Sequence, residues 1–437
     1  MADEIFEDVA CTVCACVCDD LRVTVREGRI VDYQPFCSLI GDWFEQQNSR
    51  PSVPATRRGL EIPFETAIHE AAEFLRHARA PLFYGLSQSS TAGQRAAVAL
   101  ADRLGATIDT TASEGHAPSI LALQQVGEST CSLGEIRNRA DLVIYWGSDP
   151  IQQQPRHLDR YTMRAGMQTP RGRADRTLIV IDSAPSETSK RADLFLQVEP
   201  QQDFEALWTL RALLHGLEPE PGVPTGLPLA QLKDLATRMQ SCRCGIVFFG
   251  FGLVQQPTGS QNVEALLQLV TELNQFTRFY ARRMRVAGDV SGADSVLCWQ
   301  TGYPFSVNLA RGYPRYNPNE YSASDLLERG EPDVVVLIGS RRIESFSAEG
   351  LRHLEKIPTI LIENSYGKLP FEPTLRITSS VYGIHRHGTA YRMDEVPIPL
   401  QPLLKSNDPS DEEVLNAIAA SLSAASDSSA VNYAGLS

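Results

Sequence analysis

The chain has 437 residues, 43% of them hydrophobic and 21% charged, which excludes a disordered chain and implies two or three folding units at roughly 100–200 residues each. Its formal net charge of -13 leaves no electrostatic footprint for nucleic acid or for an anionic lipid surface. No apolar run approaches the roughly 20 residues that cross a bilayer, and the acidic opening Met1-Ala-Asp-Glu-Ile-Phe-Glu-Asp8 lacks the basic and apolar regions of a signal peptide, so the cytoplasm is the expected location.

Nine cysteines stand at 11, 14, 16, 18, 37, 131, 242, 244 and 298. The odd count argues against a disulfide scaffold. Five of them fall within the first 37 residues, which points to a local metal or cluster site. After this loop, Leu21-Arg-Val-Thr-Val25 alternates with period two, Glu27-Gly28 supplies a turn and Arg29-Ile-Val-Asp-Tyr33 returns. The pattern predicts a small antiparallel, Cys-rich N-terminal unit over residues 1–55.

Beyond it, short apolar strands alternate with helices. Pro81-Leu-Phe-Tyr-Gly85 is a strand closed by glycine, 92–104 a helix, and Ala106-Thr-Ile-Asp109 the next strand. Leu142-Val-Ile-Tyr-Trp-Gly147 and Thr177-Leu-Ile-Val-Ile-Asp182 are continuous apolar runs of the kind found in parallel sheets covered on both faces. The second half repeats the order. Cys244-Gly-Ile-Val-Phe-Phe-Gly250 answers the strand around Phe83, Asp333-Val-Val-Val-Leu-Ile-Gly-Ser340 answers the one after Asp141, and Pro358-Thr-Ile-Leu-Ile-Glu363 answers the one after Thr177. An internal duplication accounts for this simply. The expected fold class is therefore α/β, with two doubly wound, Rossmann-like parallel-sheet lobes at 56–216 and 241–404. A linker and helix at 217–240 would join them, and a Ser/Ala-rich tail at 405–437 would begin with a helix near 412–421 and fray after it. Ligands of such sheets sit at the loops beyond the strand carboxyl ends.

Cys11, Cys14 and Cys18 stand at C-x2-C-x3-C spacing, and Cys37 is a candidate fourth donor. Four thiolates suit a [4Fe–4S] cluster. A zinc ion, or small buried residues with no metal, fits the spacing equally well.

The run Cys11-Thr-Val-Cys-Ala-Cys-Val-Cys-Asp-Asp20, with its hairpin and Cys37, resembles the N-terminal cluster motif of the formylmethanofuran dehydrogenase B subunits, within the molybdopterin oxidoreductases. The likeness continues through Thr111-Ala-Ser-Glu-Gly-His-Ala-Pro-Ser119, Tyr145-Trp-Gly-Ser-Asp-Pro150 and Gln154-Pro-Arg-His157. It resumes at Val290-Ser-Gly-Ala-Asp294, Trp299-Gln-Thr-Gly-Tyr-Pro304 and Arg311-Gly-Tyr-Pro-Arg-Tyr-Asn-Pro318, and ends at His387-Gly-Thr-Ala-Tyr-Arg-Met-Asp394.

The resemblance implies tungsten or molybdenum on two pterin dinucleotides, gripped by a cysteine or selenocysteine that precedes a histidine. Here the matching pair is Gly115-His116. Glycine offers no donor, and the preceding Glu114 is a hard oxygen ligand where a soft sulfur belongs. The resemblance then favours a relative in the bacterial formyltransferase/hydrolase complex. In that branch partner subunits of A, C and D type carry out formyl transfer and hydrolysis on a methanofuran-like carrier, in tetrahydromethanopterin-linked one-carbon metabolism, and the tungsto- or molybdopterin is absent. The residues implied to approach the reacting carbon are His116 and Arg285, and those implied on the cofactor side are Asp149, Gln154, Arg156, His157, Thr301 and Arg311. The cluster ligands implied are Cys11, Cys14, Cys18 and Cys37. Each of the polar residues could equally serve as a satisfied structural group, and Arg311 as part of a subunit interface.

Overall fold

The structure is a computed structural model that describes residues 3–48, 53–285, 288–339, 342–363 and 369–433, with side chains up to 424. It divides into two compact units. The first comprises 1–114, 287–392 and 397–437; the second comprises 115–286 and 393–396.

The first unit begins with a three-stranded antiparallel sheet. The expected hairpin is Leu21–Arg26 against Arg29–Gln34, and Glu4–Val9 adds a strand on the far side of Leu21–Arg26. Alternation sends Leu21, Val23 and Val25 inward and leaves Arg22 and Arg26 exposed. Glu27 and Gly28 both take positive φ, 51° and 73°, which gives the left-handed pair of a two-residue hairpin turn. This sheet does not form a separate domain over 1–55 as the sequence suggested. Its core of Val9, Leu21, Val23, Ile40 and Phe44 is completed by Val381, Ile384, Leu403 and Leu404 from the far end of the chain.

The main sheet of this unit has nine strands. Five are parallel, in the order Thr107–Thr110, Pro81–Gly85, Val334–Ile338, Thr359–Glu363, Leu375–Thr378. Short antiparallel strands extend both sides. All residues of the three central strands are buried, because helices cover both faces. Phe83, Val334, Val336 and Ile338 pack on one side with helices Phe64–His77, Thr91–Leu104 and Val290–Thr301. Leu82, Tyr84, Val335 and Leu337 pack on the other with helices Ala323–Arg329 and Ala348–Leu354. Successive strand residues point to opposite faces, so a run with no polar gap is what a doubly covered strand requires.

The second unit carries a five-stranded, wholly parallel sheet in the order Leu194–Gln197, Thr177–Asp182, Leu142–Trp146, Cys244–Phe249, Arg278–Arg283. Its core runs from Ile144 and Trp146 through Phe249 to Leu266 and Val270 of the helix Gly259–Leu273.

The strand correspondences read from the sequence reappear in this topology, but the lobes do not. Each sheet takes strands from both halves of the chain. Pro81–Gly85 lies beside Val334–Ile338, and its counterpart Cys244–Phe249 lies beside Leu142–Trp146. The likeness extends to single bonds. Leu86 N donates to Ile338 O at 2.9 Å and Gly250 N to Trp146 O at 3.1 Å; Gly339 N donates to Ile362 O at 2.8 Å and Gly147 N to Ile181 O at 2.9 Å. The expected successive lobes at 56–216 and 241–404 are thus replaced by two units with exchanged strands. Ser340, part of the second Gly-Ser loop, lies outside the described residues. At Gly85 the close approach of the strands is tight enough to exclude any side chain. Its φ is 119° and a Cβ would stand 2.4 Å from Ile338 O.

The segment between helices Asp203–Leu214 and Leu229–Ser241 is irregular, as its Pro and Gly content predicts. The tail helix starts at Asp411 and continues to Tyr433, past the expected fraying point. Among the described residues, no helix is long and apolar enough to cross a membrane.

Candidate functional site

Cys11, Cys14, Cys16, Cys18 and Cys37 are all buried, and none is disulfide-bonded. The loop closes on itself through Cys11 N to Cys18 O at 2.8 Å and Val17 N to Cys14 O at 3.2 Å, with Val17 at a φ of 35°. Burial pushes the Cys11 thiol well above its ordinary range, and the neighbouring sulfurs of Cys14, Cys18 and Cys37 push it further. Cys16 is hydrogen-bonded to both Cys14 and Cys18, which raises it well above the usual thiol value, and burial adds to this. The four predicted ligands therefore form one buried group with a fifth thiol among them. Among the described residues, no three or more His, Cys, Asp or Glu side chains are arranged to hold a single metal ion.

Glu114 belongs to the first unit and closes on partners there. Burial raises its carboxyl above the ordinary glutamate range, while a hydrogen bond with Ser324 and the nearby Arg342 guanidinium pull it down. A carboxylate is a hard oxygen donor and differs in kind from the soft sulfur that the resemblance implies one residue later. Gly115 itself brings no side-chain donor to this position.

Near Glu114, Asp109 is the last residue but one of the Thr107–Thr110 strand and was not singled out from the sequence. Its Oδ1 accepts from Thr110 N at 3.0 Å and Ser306 N at 2.8 Å; its Oδ2 accepts from Ser113 Oγ and Ala323 N, both at 2.7 Å. Burial nevertheless lifts its pKa to about 7. Asp289 caps the helix Val290–Thr301 through Gly292 N at 2.8 Å, also accepts from Tyr391 N at 2.9 Å, and is likewise lifted by burial to about 7. These carboxyls tie together the segments that carry the family-like motifs. An Asp at a strand end or just before a helix is the only sequence signal they gave.

Thr301 caps its own helix, donating to Leu297 O at 2.7 Å and accepting from Tyr303 N at 3.2 Å. Arg311 is exposed on a turn.

The remaining predicted residues lie in the second unit. His116 is buried at the N-terminal end of helix Ala117–Val126, where its carbonyl accepts from Ser119 N at 3.0 Å and Ile120 N at 3.1 Å. Its ring stacks on Phe251 with centroids 5.2 Å apart. Arg285 and Arg156 are buried, and Arg285 offers its carbonyl to Gln154 Nε2 at 2.7 Å. Asp149 accepts from Thr188 Oγ1, from Thr188 N at 3.2 Å and from Glu187 N at 3.3 Å, so it pins the 186–191 loop. His157 is fully enclosed. Its Nδ1 meets Tyr145 Oη at 3.1 Å, and the rings of Phe248 and Tyr161 lie edge-on at 4.7 and 5.3 Å. Asp149, His157 and Thr301 thus do structural work on the loops that motif likeness assigned to a cofactor.

Arg176, which sequence reasoning passed over, organises this unit. Its buried guanidinium donates to Ala140 O, Thr162 O, Arg164 O, Arg137 O and Thr169 Oγ1 at 2.6–3.0 Å.

No protein-family model matches the chain. It is 38% identical over 409 residues to the B subunit of the tungsten-containing formylmethanofuran dehydrogenase 2 of Methanocaldococcus jannaschii, covering 92% of this chain and 94% of the relative. The namesake protein of Methanococcus maripaludis is 34% identical over 422 residues, covering 94% and 97%. The B subunit of the formyltransferase/hydrolase complex Fhc from Methylorubrum extorquens is 26% identical over 287 residues, covering 65% and 74%. Among solved structures, the Methylorubrum extorquens complex FhcABCD with methylofuran contains a chain that shares this fold, with a TM-score of 0.69 at 23% identity over 84% of this chain and 98% of that one. Acetylene hydratase from Pelobacter acetylenicus shares it at a TM-score of 0.71 and 12% identity, over 96% of this chain and 69% of that one. With more than a third of its residues shared across nearly its whole length, the chain belongs to the family of formylmethanofuran dehydrogenase B subunits.

Proposed function

We propose that this chain is the non-redox B-type component of a formyltransferase/hydrolase complex in tetrahydromethanopterin-linked one-carbon metabolism. Its A-, C- and D-type partners pass a formyl group to a methanofuran-like carrier and release it as formate in the cytoplasm. The observation that carries this reading is Gly115, which leaves the metal position of the redox relatives without a protein donor. The neighbouring Glu114 supports it as well, since its carboxylate is a hard oxygen donor where a soft sulfur is needed. In this role the chain is scaffold, and Arg156, Arg285 and Gln154 of the second unit, all buried on loops after strands, line the path of the anionic carrier. Cys11, Cys14, Cys18 and Cys37 would hold a [4Fe–4S] cluster as a structural staple. The test is the native complex purified without oxygen. It should release formate from the formyl carrier without reducing a viologen dye, and viologen reduction coupled to formyl oxidation would overturn the reading.

One observation favours a second reading. The tungsten-containing relatives match this chain over nearly their whole length, and the four cysteines are all present. On that reading the chain is the catalytic component of a formylmethanofuran dehydrogenase that interconverts carbon dioxide or formate with formylmethanofuran. It requires a metal centre that needs no sulfur from the protein, and the same dye assay separates the two.

A further inference from the structure

The nine-stranded sheet ends on one side in a short antiparallel pair, Ala55–Arg57 with Leu60–Glu61, joined by Arg58 and Gly59. Both turn residues are left-handed, with φ of 46° and 77°, as a two-residue hairpin turn requires. Asparagine or aspartate is the usual residue before the glycine of such a turn, and a long side chain at positive φ is uncommon. The turn is also anchored. Arg58 N donates to Thr374 O at 3.1 Å, and Thr374 and Thr359 exchange N–H to hydroxyl hydrogen bonds of 3.1 and 2.9 Å. An arginine held in a backbone conformation that suits it poorly points to work for its side chain.

That side chain lines a groove of about 670 Å³. Arg57 and Lys356 bring two further cations to it, and Leu60, Phe74 and Pro358 give it an apolar wall. Among the described residues, no acidic side chain lines it. Arg57 shares its charge with Glu70 at 3.3 Å. Arg58 and Lys356 are exposed and, among the described residues, have no ion-pair partner. Positive side chains thus gather here on a chain whose net charge is -13. Pro358 leads into the strand Thr359–Glu363 and Thr374 into Leu375–Thr378, so the groove opens at the amino ends of these strands. Ligands of doubly wound sheets sit at the opposite, carboxyl ends, which makes this groove a separate site.

We propose that the groove binds a small organic polyanion, phosphorylated or carboxylated, whose apolar body lies on Leu60, Phe74 and Pro358 while Arg57, Arg58 and Lys356 hold its charges. The volume falls within the roughly 300–1,000 Å³ of small-ligand sites. A guanidinium pairs with phosphate or carboxylate oxygens through two N–H groups, and an ammonium adds a point charge. A peptide strand added at the sheet edge is the poorer occupant. Leu60–Glu61 offers a ladder of only two residues, and Glu61 repels an acidic segment.

The test titrates the full chain at low ionic strength with naphthalene-1,3,6-trisulfonate, an aromatic trianion whose sulfonates stand in for phosphate or carboxylate, and follows binding by calorimetry. Wild type should bind one probe per chain, and Arg58→Gly and Lys356→Ala should each weaken binding by about tenfold. Glycine suits the left-handed turn, so Arg58→Gly should keep or raise the melting temperature, which separates lost binding from lost folding. Tripolyphosphate and benzene-1,3,5-tricarboxylate then compete with the probe, and the one that displaces it at the lower concentration tells a phosphorylated ligand from a carboxylated one. Absence of saturable binding in wild type, affinity unchanged in both variants, or failure of both competitors overturns the proposal.

Discussion

Asp109→Asn removes a carboxyl that sits fully buried near the end of the Thr107–Thr110 strand, gathering the turn at Ser306 and the start of the helix Ala323–Arg329. Burial lifts its pKa from 3.8 to about 7 in spite of the donors around it. The unfolded chain releases this proton near pH 4, while the folded chain holds it to about 7. Between those values the folded state binds more protons than the unfolded one, so stability falls as pH rises. At about 1.36 kcal/mol per unit over roughly three units, the loss approaches 4 kcal/mol by pH 7.5 and then levels off. Asn cannot ionise, and its amide oxygen retains the Ser306 and Thr110 N–H bonds while the bond from Ala323 N is lost. The variant is expected to be less stable than wild type at pH 5 and to close most of that gap by pH 8. Asp289, with a pKa raised to about 7, and Asp411, raised to about 6, give wild type and variant the same additional slope. The difference between the two proteins therefore isolates Asp109. Melting temperatures followed by circular dichroism from pH 5 to 8 measure it; about 2.6 kcal/mol of the loss falls in this range, and at roughly 2 °C per kcal/mol for a chain of this size the change in the gap is about 5 °C. A gap that stays constant across this range would refute the assignment of a buried, ionising carboxyl.

Arg176→Met leaves four carbonyls and a hydroxyl without their shared donor, which should cost about 3–5 kcal/mol. Hydrogen exchange across 137–176 reads it, and a loss under about 1 kcal/mol would contradict the hub role. Gly85→Ala should abolish soluble expression, since its Cβ meets a backbone carbonyl of the neighbouring strand. Gly216→Ala, where φ is 73° but nothing lies within 4 Å, should cost only about 1 kcal/mol; equal behaviour of the two variants would show that sheet packing is not what makes Gly85 necessary. Asp203→Leu removes the acceptor of Trp146 Nε1 at 2.7 Å and Gln256 Nε2 at 2.7 Å. Burial raises this carboxyl above the ordinary aspartate range, so its contribution weakens as pH rises through that raised value. The variant should therefore lose more stability near pH 4 than at pH 8, as seen in Trp fluorescence melts.

The strands of the two main sheets were legible because each is an apolar run closed by Gly, Asp or Glu, and the correspondence of Asp141–Gly147 with Asp333–Gly339 holds down to single hydrogen bonds. Their partners were not legible. Residue order says nothing about whether Leu142–Trp146 lies beside Pro81–Gly85 or beside Cys244–Phe249, since every one of these strands is uniformly apolar and accepts any neighbour. The strand Arg278–Arg283 was missed because Arg-Arg at its end reads as surface, although both side chains are buried and Arg283 pairs with the equally buried Glu128 at 3.3 Å. For the candidate site, motif likeness pointed to loops whose polar residues the folded chain holds with local bonds. Asp149, His157 and Thr301 are accounted for by local bonds that depend on Thr188, Tyr145 and Leu297, residues with no special signature. Asp109 and Arg176 escaped notice for the converse reason. Their importance comes from how many backbone groups converge on them, which only the folded chain reveals.

The measurement that bears most directly on the proposed role is an elemental analysis for iron, zinc, tungsten and molybdenum on the native complex, purified without oxygen. Gly115 predicts tungsten and molybdenum at background, and the buried cysteines predict about four irons per chain. Tungsten or molybdenum approaching one atom per chain would contradict the account, because the metal would then be held without the sulfur that this chain lacks.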